Sequence, residues 1–138
     1  MSQPDTRHHY CHTTAHVSGV LATPLVLKYL GADPARVFSE AGVDLSLFDD
    51  PERLISLAAL GQLVKHAVDS SGCQYFGLLV GQQGGLQSLG LVGLMVRFSP
   101  DVGTALRRLG HYIHLYHGGQ VTAVVEQKNL AVVSYDFF

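Results

Sequence analysis

The forty residues from Ser99 onward change period partway. "SPDVGTALRRLGHYIHLYHGG" carries apolar side chains at helical spacing. "QVTAVVEQKNLAVVSYDFF" follows at once, with two runs of Val, Thr, Tyr and Phe around a polar "EQKN". A pattern of period 3.6 cannot lie flat in a sheet, and a pattern of β-branched residues resists a helix. The spacing therefore predicts a helix over 100–117 and strands over 120–126 and 130–137, paired antiparallel. In the helix Ser99 is the expected N-cap, with Pro100 at the first position and Gly118 after the last turn. Val102, Ala105, Leu106, Leu109, Tyr112, Ile113 and Tyr116 form one apolar stripe, expected to be core.

The rest of the chain reads as helices in series. "TPLVLKYLG" offers Thr23 as cap, Pro24 and a stop at Gly31. "DPARVFSEAG" repeats the device with Asp33, Pro34 and Gly42. "VDLSLFDDPERLI" is a connector with a turn at Asp50-Pro51. "SLAALGQLVKHAVDSSG" predicts a helix over 57–70, capped by Ser56 and ended by Gly72, with Leu57, Leu60, Val64, Ala67 and Val68 on the buried face and His66 solvated. "QYFGLLVG" reads as a short helix and "GQQGG" as a loop. "SLGLVGLMVRFS" reads as an apolar helix in which Gly90 and Gly93 allow close packing. The fold class expected is α+β: several packed helices followed by an antiparallel β-hairpin that is part of a larger sheet. Residues 1–15, polar and aperiodic, read as a flexible arm ahead of one domain over 16–138. The chain stops at Phe138 inside an expected strand, which reads as a fragment. Its unpaired apolar edge would favour self-association.

Composition excludes several functions. With 9 Lys+Arg against 11 Asp+Glu, nothing electrostatic favours nucleic acid. No apolar run reaches the roughly 20 residues of a membrane span, and the N-terminus lacks a signal peptide's apolar stretch. Cys11 and Cys73 lack C-x-x-C spacing, so a reduced, cytoplasmic protein is the simple reading. There is no Walker loop, no G-x-S-x-G and no visible carboxylate pair, so an enzyme is poorly supported.

The histidines raise the question of metal. On a helix with Val102 at 0°, His111 falls at about 180°, His114 at about 120° and His117 at about 60°. The rings fan apart. Arg107 shares the His111/His114 face and no Asp or Glu lies in that turn, so no stoichiometric ion is expected there. His117 lies nearest the apolar stripe. "HHYCH" (His8, His9, Cys11, His12) is richer in ligand types but sits in the arm. A metal- or haem-responsive module built on these two segments is the alternative function.

The order of motifs is itself informative. Leu30-Gly31, Asp33-Pro34, "SLAALGQLV" at 56–64, "FGLLVG" at 76–81, "SLGLVGLM" at 88–95 and "FSPDVGTALRRLGHYIHLYHGG" at 98–119 follow in register. In this the run from Thr23 to Phe138 resembles the N-terminal effector-binding (arabinose-binding-like) domain of AraC-family transcriptional regulators, in the subgroup of ornithine- and arginine-responsive activators. The resemblance implies ligand sensing, dimerisation or both, with a small-molecule effector, no cofactor, a homodimer, and promoter DNA bound only through a C-terminal half that this chain lacks. A sensor needs a mostly apolar cavity with a few polar groups. Phe76, Met95, Tyr112, Tyr116 and His117 are the candidate lining residues.

Overall fold

The structure, a computed structural model, describes residues 14–115 and 120–137. The expected caps operate where the capping residue is local to a strong helix. Asp33 Oδ1 accepts from the Ala35 N–H at 3.1 Å, and Gly42 at φ +68° closes the same helix. Ser56 Oγ accepts from the Ala59 N–H at 3.1 Å, and Gly72 at φ +68° closes the next. In order, the elements are β1 (Thr14–His16), a 3-10 turn over Val17–Val20, α1 (Thr23–Tyr29), α2 (Pro34–Ala41), a 3-10 turn over Leu45–Asp49, β2 (Leu54–Ser56), α3 (Leu57–Ser71), α4 (Phe76–Gly84), a 3-10 turn over Leu86–Leu89, α5 (Gly90–Arg97), α6 (Val102–Tyr112), β3 (Gln120–Gln127) and β4 (Leu130–Phe137). A short 3-10 turn, Ile113–Leu115, extends α6. The architecture is α+β, as the periodicities imply.

Both sheets among the described residues are two-stranded and antiparallel. The hairpin β3–β4 runs in register from Gln120↔Phe137 to Gln127↔Leu130. Its two-residue turn holds Lys128 at φ +48°, the positive value that tight hairpin turns need at their first central position. The other sheet is unexpected. Of the predicted arm, residues 1–13 lie outside the described residues, whereas Thr14 and Ala15 pair with Ser56 and Ile55. The pairing continues past the ladder through Val17 N–H to Arg53 O at 2.8 Å and Ser18 N–H to Pro51 O at 3.0 Å.

Two helix starts differ from expectation. Thr23 is the first residue of α1 rather than its cap, and its hydroxyl donates to Val20 O at 2.6 Å. In α6, Asp101 caps in place of Ser99. Its two carboxylate oxygens accept from the Thr104 N–H and the Thr104 hydroxyl, each at 2.8 Å. The Ser99 hydroxyl is turned back to α5, donating to Met95 O at 3.0 Å, and its oxygen accepts from Arg108 at 3.1 Å. "GQQGG" is not a loop either, since α4 runs through Gln82 and Gln83 to Gly84. Phe76 and Val80 anchor that helix in the core, and their burial outweighs the poor helix propensity of glycine.

The core lies among α1, α2, α3 and α4. Val17, Leu27, Val37, Phe38, Leu63 and Phe76 are fully enclosed there, with Phe38 and Phe48 edge to face at 4.8 Å between centroids. On α3 the buried stripe is Leu63 and Ala67. Leu57, Leu60, Val64 and Val68 flank it half-buried, because α2 and α4 cover the helix from two sides. The α6 stripe is less covered than its pattern implies. Val102 is 75% exposed, Ala105, Leu106, Leu109 and Tyr112 are half-buried, and only Ile113 is buried. Among the described residues the helix packs chiefly on α5 and β3. On its other side α5 packs closely on the Leu86–Leu89 turn at Gly93, where a Cβ would lie 1.9 Å from Leu86 O.

Two predictions follow from this packing. Leu63→Ala should cost about 2–5 kcal/mol, whereas Leu109→Ala should cost about 1 kcal/mol, since only part of its surface leaves water. Urea unfolding of the two variants checks the order, and equal costs would contradict the layering. The second concerns acid. The Thr104 N–H, then the Thr104 hydroxyl and the Arg107 charge, hold the Asp101 carboxyl below its usual 3.8, and Ser46 does the same for Asp44. A lowered folded-state value means the stabilisation is complete above 3.8 and is lost as pH falls through that lower value. The Asp44→Asn/Asp101→Asn variant should therefore lose less thermal stability than wild type on acidification from neutral pH to below 3.8. Parallel pH profiles would refute the assignment.

Candidate functional site

A surface seam runs from the groove between α1 and α4, past the 3-10 turn over Leu86–Leu89, to α5. The segment "GQQGGLQSLGLVG", residues 81–93, crosses it as the end of α4, a 3-10 turn and the start of α5. Gly85 at φ +58° and Gly90 at φ +52° bracket the turn and let the backbone reverse twice within six residues. The Ser18 hydroxyl donates to Ser88 O at 2.9 Å, tying the turn to the residues beside β1.

Three open cavities adjoin along this seam. One of about 450 Å³ is lined by Leu86, Gln87, Gly90, Gly93, Leu94 and Arg97. The next, about 430 Å³, shares Gln87 and reaches Ser18, Leu25 and Gln83. The third, about 220 Å³, shares Leu25 and Gln83 and ends at Tyr29. Leu21, Leu25, Leu79, Leu86 and Leu94 give the walls an apolar character, with the Gln83 and Gln87 amides and one guanidinium spaced along them. Their described lining residues include no carboxylate. An apolar trough with a few convergent polar groups is the usual form of a small-molecule site. A fourth hollow, about 340 Å³, lies between α6 and the hairpin tip and is flanked by both Glu126 and Lys128.

Of the five residues singled out from the sequence, the three that are described are not gathered here. Phe76 is fully buried at the start of α4, within the main core. Met95 is 37% exposed on α5, and Tyr112 is half-buried on α6 with the His111 ring edge-on at 4.6 Å. None of these three borders the four cavities. Tyr116 and His117 lie outside the described residues. The sequence reading passed over Gln83, Gln87 and Arg97. Two glutamines in a glycine run, and a single charge in "SLGLVGLMVRFS", were the available signals.

His111 and His114 are both exposed. The fold adds a partner that sequence proximity did not reveal, because Glu126 of β3 pairs with Arg107. Arg107 Nη2 also donates to the Thr104 hydroxyl at 3.2 Å, so Asp101, Thr104, Arg107 and Glu126 form one chain from the start of α6 to the hairpin. Among the described residues no three His, Cys, Asp or Glu side chains are grouped to hold a metal ion. His8, His9, Cys11 and His12 fall outside them. Cys73 is buried and unbridged. No helix among the described residues is long and apolar enough to cross a membrane.

Comparison with known proteins agrees with the order of motifs. The sequence profile of the "Arabinose-binding domain of AraC transcription regulator, N-term" matches residues 31–137, well over half of the chain. A comparison with curated proteins finds no match. By that match, the chain belongs to the family of N-terminal arabinose-binding domains of AraC transcription regulators.

Proposed function

We propose that this domain senses a small-molecule effector in the seam that runs from the α1–α4 groove to α5, on behalf of a cytoplasmic AraC-type regulator whose promoter contacts are made by another part of the protein. The observation that carries the reading is the adjoining trio of leucine-walled cavities with Gln83, Gln87 and Arg97 along them, in a chain of a ligand-sensing family. The ornithine- and arginine-responsive subgroup is the branch its motifs resemble. Phe76 supports the site from beneath, because its burial fixes the helix that bears Gln83. Tyr116 and His117 remain candidates for contacts beyond the trough.

Dimerisation belongs to the same proposal. Leu91, Leu94, Met95 and Phe98 recur at i, i+3, i+4 and i+7 and are 80%, 56%, 37% and 74% exposed. Val125, Val132 and Val133 of the hairpin are about half exposed as well. Apolar stripes of this kind are usual at surfaces that meet another chain.

The test is a thermal-shift screen of small metabolites against wild type and Leu94→Trp, a substitution that fills the first cavity from an exposed position. An effector at about 100 times its dissociation constant adds about 2.7 kcal/mol to stability, several degrees for a domain of this size. Stabilisation should vanish in Leu94→Trp while its circular dichroism is unchanged. A ligand that stabilises both proteins equally binds elsewhere and removes the seam as the sensing site.

A further inference from the structure

The charges around the seam narrow the effector's chemistry. Arg36 pairs with Glu40 at 3.1 Å, Arg53 with Asp50 at 3.9 Å, and Arg107 with Glu126. Arg108 donates to Met95 O at 3.3 Å and to Ser99 Oγ at 3.1 Å, closing the C-terminal end of α5. Arg97 differs from all of these. It is the last residue of α5, is exposed, borders the cavity of about 450 Å³, and has no ion pair or hydrogen-bond partner among the described residues. A planar guanidinium matches a carboxylate through two parallel hydrogen bonds. Beside it stand Leu86 and Leu94, with the Gln87 amide leading on toward Leu25.

We infer that the seam takes an amphipathic monocarboxylate, with its carboxylate on Arg97 and its aliphatic part along Leu86, Leu94 and Leu25. The inference rests on the reading of the seam as the effector site. One fixed cation answers one negative charge. With no carboxylate among the described lining residues, an ammonium group would have no counter-ion. A basic amino acid, the effector class of the subgroup the motifs resemble, would place its cationic end against leucines. Burying such a charge unpaired is costly.

Calorimetric titration of the folded chain with octanoate, 1-octanol, octylammonium and L-ornithine tests the class directly. These probes hold the tail constant while changing the head, or remove the tail. Octanoate should bind, with octanol and octylammonium weaker by about tenfold to a hundredfold, the worth of a charge-assisted hydrogen-bonded pair. Arg97→Gln should bring octanoate down to the level of octanol, and Leu94→Trp should abolish both. If octanol matches octanoate in wild type and Leu94→Trp removes both, the seam is the site but the carboxylate assignment is wrong. An octanoate preference that survives Arg97→Gln also overturns it, as do tighter binding of ornithine and failure of octanoate to saturate at millimolar concentration. If octanoate binds equally to wild type and Leu94→Trp, the seam reading itself falls.

Discussion

Burial of Val17, Leu27, Phe38, Leu63 and Phe76 in one cluster is the interaction on which the remaining structure depends. Each fully enclosed aliphatic or aromatic side chain contributes about 1.5–3 kcal/mol. Beyond Val80, the fully buried apolar residues among those described are Val92 and Ile113. The second layer, α5, α6 and the hairpin, therefore leans on the first through few contacts. Gly93 lies against the Leu86 carbonyl and Ser18 bonds Ser88, while within the second layer Arg107 joins α6 to Glu126. The last of these is exposed, and such pairs are worth about 0–1 kcal/mol. A trough between a firm layer and a loosely held one is where a ligand can stabilise a particular docking of the two.

What was legible in the sequence was local. Ser56 and Gly72, or Asp33 and Gly42, act within one turn of their helix, so their chemistry is visible in a short window. The hairpin was legible because β-branched runs flanked a polar turn. The β1–β2 pairing was not, because each strand has three residues and the ladder joins Thr14 to Ser56 across the whole of α1 and α2. No period can be read from three residues. The cap of α6 was misplaced because Ser99 and Asp101 are both good caps. Only the fold shows that the serine hydroxyl is already bonded to Met95 O.

The candidate site was the least legible part. Large, adaptable residues such as Phe76 and Met95 suggested a pocket, yet size and apolarity mark core as readily as cavity. Phe76 proved to be core. The trough depends on Gln83, Gln87 and Arg97, each ordinary by itself. Their significance comes from the turn between Gly85 and Gly90, both at positive φ, which sets the end of α4 and the start of α5 along one line of hollows. Glu126 shows the same limit from the other side, since it reaches Arg107 from a strand nineteen residues away.

The short ladder at the start of the fold bears on where this domain begins. The family match starts at residue 31, but the described fold already includes the stretch from Thr14. Val17, Val26 and Leu27 lie ahead of the match and inside the core. Leu25 and Tyr29 form the far wall of the trough from that same stretch. A piece trimmed to the shared profile would lose an entire face of its interior, together with the Ser18 hydroxyl that holds Ser88.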